Sequence, residues 1–106
     1  MIWKLLRIQE LLREKDYEVP GQLVSVFYFI ASHNPCHTQA IQEGLAMSPN
    51  SVSRNTDWLS RAHRLGKPGL GLIDKKVDPA DTRMRICSLT PKGENFVKRI
   101  KDILNE

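Results

Sequence analysis

At 106 residues the chain is the size of a single domain. Two cysteines are too few for a disulfide scaffold, and the longest apolar run, Leu23 to Ala31, is far short of the roughly 18 residues that a membrane-spanning helix needs. The net charge of +4 is unevenly distributed: residues 1–53 carry four Lys/Arg against five Asp/Glu, while residues 54–101 carry twelve against five. Positive charge gathered on one half favours a polyanionic partner, of which nucleic acid is the commonest, although a merely soluble basic surface has the same composition. Charge interrupts the N-terminal stretch Ile2 to Arg7 every few residues, so no secretory signal is expected and a cytoplasmic location follows.

Ile2, Leu5, Ile8 and Leu12 recur at helical spacing with Trp3, Leu6 and Leu11 beside them, which predicts an amphipathic helix over residues 2–16. Its apolar stripe is wide for a helix with one neighbour. Pro20-Gly21 breaks the chain and starts a second helix, apolar nearly all round from Leu23 to Ala31 and so centrally buried, which Ser32-His33-Asn34-Pro35 ends. Thr38 is the expected N-cap of a short helix, Gln39–Ala46. Met47-Ser48-Pro49 is a compact connection. Ser48 caps the next helix and Pro49 takes its first position, where a missing N–H costs nothing. That helix is predicted to run to about Leu65, with Val52, Leu59 and Ala62 inward, until Gly66 stops it. Two helices joined by a tight turn, the second longer and polar-faced, form a helix-turn-helix signature.

Residues 72–89 predict a β-hairpin, with strands Leu72–Val77 and Thr82–Leu89 joined by the turn residues Asp78-Pro79-Ala80-Asp81. Arg83 and Arg85 are expected to project together from one face of the second strand, with Asp81 steadying Arg83, and Lys75 and Lys76 stand on the opposing strand. Thr90-Pro91 repeats the Ser48-Pro49 pattern and opens a last helix over 91–105 carrying Phe96, Val97, Ile100, Ile103 and Leu104.

The chemistry follows from placement. The N-terminal residues of a helix in this position reach base edges in a major groove, where Asn matches adenine, Arg matches guanine and Ser suits several groups. Asn50, Ser51, Ser53, Arg54, Asn55 and Asp57 are expected on or near that outer face, with Pro49 and Thr38 at the starts of the two helices completing the DNA-facing set. Asp57 would repel phosphate, so it is expected to pair with a nearby Arg or meet a cytosine amino group. Arg83, Arg85, Lys75 and Lys76 on the hairpin suit the backbone or a narrow minor groove.

The segments Ser51-Val52-Ser53-Arg54, Asp78 to Arg83 and Leu89-Thr90-Pro91-Lys92-Gly93 resemble the MarR family of regulators. The family pattern is a Ser/Thr-rich recognition helix, a wing carrying D-x-R, and an L-T-x-x-G at the start of the last helix. The resemblance spans roughly residues 20–100. It implies a mainly α winged helix-turn-helix with a small β-hairpin, in the order α-α-α-α-β-β-α. It also implies a homodimer that binds pseudo-palindromic double-stranded DNA as a transcriptional regulator or repressor. Ser51, Ser53, Arg54, Asp81 and Arg83 match the pattern's positions. The first and last helices would supply the two-fold interface. The segment Arg61–Gly71 is longer and richer in glycine than the family's link, and the last helix is shorter. A small-molecule effector is therefore doubtful on this reading, which fits a compact phage- or plasmid-type variant.

Other constellations are weaker. His33-x-x-Cys36-His37 could supply three metal ligands only if Cys87 or His63 gave a fourth, and a polar interhelix loop is the ordinary reading. Neither metal nor cofactor is expected. A half-buried structural Cys87 outweighs a redox switch. No phosphate-binding loop, triad spacing or paired-carboxylate pattern points to an enzyme. A winged-helix protein-interaction module and a replication or recombination accessory protein are the alternatives.

Overall fold

The computed structural model describes residues 1–15, 20–61 and 68–106. In chain order these form α1 (Ile2–Lys15), α2 (Gly21–Ser32), β1 (Cys36–His37), α3 (Thr38–Leu45), α4 (Pro49–Leu59), β2 (Ile73–Val77), β3 (Arg85–Leu89) and α5 (Pro91–Leu104). Asp16, at the end of the expected first helix, lies outside the described residues, as do Ala62, His63, Leu65 and Gly66.

The core gathers where the apolar stripes meet. Leu23, Val26, Phe27 and Ile30 of α2 are buried at its centre, against Ile8, Leu11 and Leu12 of α1, Ile41 of α3, Val52 and Leu59 of α4, and Phe96, Ile100 and Ile103 of α5. Phe27 and Phe96 meet edge to face, with ring centroids 5.7 Å apart, a geometry that suits the aromatic quadrupole. The sheet closes the other side through Ile73 and Cys87. Here α1 and α5 lie side by side, and Lys4 Nζ donates to the Leu104 carbonyl at 3.0 Å.

The caps at α4 and α5 form as their local sequence dictates. Ser48 Oγ accepts the Ser51 N–H at 3.1 Å, and Thr90 Oγ1 accepts that of Gly93 at 3.0 Å, each with a proline inside the first turn. At α3 the expectation fails. His37 is the capping residue and makes no side-chain cap, so Thr38 is already helical. The cause is a third strand that the sequence did not suggest: Cys36-His37 pairs antiparallel with β3, Cys36 opposite Cys87 and His37 opposite Ile86. The sheet order is β1-β3-β2, so the chain leaves a ladder and enters the helix directly.

The helix α4 is also shorter than expected, ending at Leu59 rather than near Leu65. Its last carbonyls are claimed by the returning chain. The N–H groups of Leu70, Gly71 and Leu72 donate to Trp58, Ser60 and Leu59 oxygens at 2.8, 2.9 and 2.8 Å, and Gly69 donates to Arg61 at 3.0 Å. These bonds take the acceptors that a longer helix would have satisfied internally. Gly69 is required there, since a Cβ would sit 1.9 Å from the Ser60 carbonyl oxygen.

Candidate nucleic-acid interface

Helix α4 presents two unlike sides. Val52, Asn55, Thr56 and Leu59 recur at spacings of three and four and are buried. Asn50, Ser53 and Arg54 are exposed and Ser51 is half-buried. Arg54 Nη2 lies 3.4 Å from Ser51 Oγ, which also accepts from Ser48 Oγ at 3.0 Å, so the cap and Arg54 belong to one polar network.

Asn55 corrects the expected outer face. It is 6% exposed, and its amide donates to the Ser51 carbonyl at 2.8 Å and to Gln22 Oε1 of α2 at 3.4 Å. It follows Val52 by three residues, which brings it onto the core stripe despite its polarity. Thr56 is fully buried and returns its hydroxyl to the Val52 carbonyl at 2.8 Å.

The hairpin strands are shorter than expected and its tip larger. Strand β3 begins at Arg85, not Thr82, because Asp78 N–H donates to Met84 O, Asp81 N–H to Asp78 O and Met84 N–H to Asp81 O, which folds Asp78–Met84 into a closed loop. Arg83 therefore sits on the loop, not on a strand face shared with Arg85. Its side chain is 88% exposed. Asp81 holds it as expected, taking Arg83 Nε at 3.1 Å and Nη2 at 3.2 Å. Arg85 is exposed but bends back, with Nη1 3.2 Å from the Thr82 carbonyl oxygen. The carboxyls of Asp78 and Asp81 are both held below the usual range, chiefly by their side-chain bonds to His37 and Arg83 respectively.

The two strand lysines part company. Lys76 is exposed. Lys75 is largely enclosed, its side chain 16% exposed, and its Nζ is 2.9 Å from Asp57 Oδ1 of α4. The partner of Asp57 is thus this lysine instead of an arginine, and Lys75 is already committed within the fold. Thr38 is half-buried and Pro49 exposed at their helix starts.

The described residues among the suggested metal ligands do not form one group. The His33 ring stacks on Phe29 at 4.2 Å, His37 Nε2 is bonded to Asp78, and Cys87 is buried with its thiol pushed up to about 12 by desolvation. Among the described residues no three candidate ligands form a group, and no described helix is long and apolar enough to cross a membrane.

The sequence matches no protein-family model and no curated protein. Solved structures are closer in shape. Reduced AbfR bound to DNA superposes with a TM-score of 0.71 at 16% identity, covering 92% of this chain and 62% of that one. MarR gives 0.70 at 16% identity, covering 92% and 64%. YusO from Bacillus subtilis gives 0.67 at 19%, covering 93% and 66%. The chain has the winged-helix fold of the MarR-type regulators. It spans less than two thirds of the length of these three proteins. In the terms of that fold, α3 and α4 are the helix-turn-helix, and β2–β3 with their closed tip loop form the wing.

Proposed function

We propose that the chain is a sequence-specific double-stranded DNA-binding regulator of transcription, acting as a repressor, with α4 in the major groove and the wing on the adjacent backbone or minor groove. The observation that carries this reading is the pairing of two exposed features in one molecule. The first turns of α4 present Asn50, Ser53 and Arg54 outward, and the wing tip presents Arg83 on a carboxylate support. Asn and Arg recognise purine edges bidentately, and an extended cation suits phosphate or a narrow minor groove. Ser51, Pro49, Lys76, Arg85 and Thr38 complete the proposed contact set. The DNA-bound AbfR structure, so similar in fold, supports this reading. Asn55 and Lys75 serve it indirectly, from within the fold.

The working unit is a homodimer in the cytoplasm. Ile2, Leu5 and Leu6 of α1 and Leu104 of α5 are large apolar side chains left 78, 58, 61 and 47% exposed on neighbouring helices. Exposed apolar side chains of this kind favour burial against a second copy. Selection of bound sequences from a random duplex library tests the whole reading. Enrichment of a palindrome with half-sites about one helical turn apart supports it, and failure to bind any duplex at low salt sinks it. In that case binding to an acidic protein becomes the better account of the charge.

A further inference from the structure

The wing tip is held from outside the wing. His37 Nε2 lies 2.9 Å from Asp78 Oδ2, across 41 residues of sequence. His37 belongs to β1 and immediately precedes α3, whereas Asp78 follows β2 and starts the tip loop. The sheet brings them together. His37 is opposite Ile86 and Ile86 is opposite Lys76, so the three share one face, and Asp78, two residues beyond Lys76, shares it too.

Asp78 organises the loop that follows. Its second oxygen, Oδ1, accepts the Ala80 N–H at 2.8 Å. Its backbone N–H donates to Met84 O at 3.0 Å, and its carbonyl accepts the Asp81 N–H at 3.2 Å. Asp81 in turn takes both the backbone N–H and the guanidinium of Arg83. A series of bonds thus runs from the residue preceding α3 through the carboxylates of Asp78 and Asp81 to the exposed Arg83 of the wing. An ionised carboxylate only accepts, so Nε2 carries the proton of this bond whether the ring is neutral or charged.

We propose that His37 is a positioning residue for the wing, fixing Asp78 so that the tip loop presents Arg83 in one orientation and moves with the helix-turn-helix. The geometry stands on its own, and its effect on binding rests on the DNA-binding reading of the wing. Ordering a long cation before binding lowers the entropy lost when it engages, and coupling the loop to α3 keeps wing and helix in register.

The test uses His37→Ala and His37→Gln, the latter because its amide keeps a donor near the place of Nε2, each first shown to be folded by its melting curve. Affinity for duplex DNA is measured across a salt series, alone and combined with Arg83→Ala. The expected result is that His37→Ala weakens binding several-fold and flattens the salt dependence, that it adds little to Arg83→Ala, and that His37→Gln restores most of the loss. A second measurement needs no DNA: amide exchange at Ala80 and Arg83 quickens in His37→Ala and returns toward native in His37→Gln. The proposal is overturned if Arg83→Ala weakens binding while His37→Ala does not, or if the two effects simply add. Should Arg83→Ala itself leave binding unchanged, the wing's DNA role has failed, and unaltered exchange at Ala80 and Arg83 then overturns the positioning role as well.

Discussion

Lys75 of β2 and Asp57 of α4 are joined at 2.9 Å, so the first wing strand is tied by charge to the second helix of the helix-turn-helix. Both side chains are partly enclosed, at 16 and 37% exposure. Breaking such a pair costs little in overall stability, and a double-mutant cycle of Lys75→Met with Asp57→Asn is expected to give a coupling of about 0.5–1 kcal/mol in denaturant unfolding. Zero coupling would mean the two groups meet without holding each other.

Asn55 separates folding from recognition. With its amide shared between Ser51 and Gln22 in a buried position, Asn55→Ala is expected to lower stability by about 1 kcal/mol. It should leave the pattern of preferred bases unchanged. Arg54→Ala should do the reverse, costing roughly 1–3 kcal/mol at one base pair with little change in melting. Comparing selected sequences and melting curves for the two variants checks both halves.

Two glycines inside helices predict opposite outcomes. At Gly93 an added Cβ would sit 2.0 Å from the Leu72 carbonyl oxygen, a backbone atom that cannot turn aside, whereas at Gly21 nothing lies within 4 Å. Gly93→Ala is expected to destabilise by about 1–3 kcal/mol or more through forced displacement of α5 from the segment that enters β2. Gly21→Ala should be neutral or stabilising by about 0.4–1 kcal/mol, because it narrows the unfolded ensemble. Thermal or denaturant melts of the two decide this.

The exposed stripe of α1 predicts a concentration-dependent assembly. Leu5→Glu together with Leu6→Glu should give a monomer in sedimentation while leaving the helical signal intact, since neither side chain belongs to the buried core. The same variant should bind an isolated half-site more nearly as well as a full palindrome. A wild-type chain that sediments as a monomer at high micromolar concentration would rule out the dimer.

Acid should loosen the wing first. The bond from His37, then that from the Ala80 N–H, holds the Asp78 carboxyl below its usual range. The folded state therefore binds that proton more weakly than the unfolded chain does. The resulting stabilisation is present above the unfolded value and is lost as pH falls through the folded one, in the region below about pH 4. Asp78→Asn should flatten that acid limb in a pH series of melting temperatures, and an unchanged limb would contradict the assignment.

Local chemistry was legible and long-range chemistry was not. Ser48-Pro49 and Thr90-Pro91 announce their helices because a cap is made within four residues. The Asp81–Arg83 pair was legible for the same reason. The true end of α4 was hidden, because what stops the helix is the chain returning at residues 69–72 and not a breaker at its own end. Strand β1 was hidden because two residues carry no periodicity, and only Cys87 and Ile86, fifty residues on, make them a strand. Asn55 and Lys75 looked like surface because their type is polar, and their partners Gln22 and Asp57 become visible only when helices and sheet are packed.

If α4 reads bases as proposed, the inward turn of Asn55 and Thr56 limits how much sequence one copy can distinguish. Among the described residues of α4, a strip around Asn50, Ser53 and Arg54 would then remain to meet bases, enough for about three or four base pairs at roughly 1–3 kcal/mol each. Against the vast excess of competing sites in a genome, so short a word recurs everywhere. Selectivity must then come from repetition and spacing, two strips read at a fixed interval, and from the contour of the duplex under the wing. On that reading the information would lie as much in the distance between two helices as in the side chains of either.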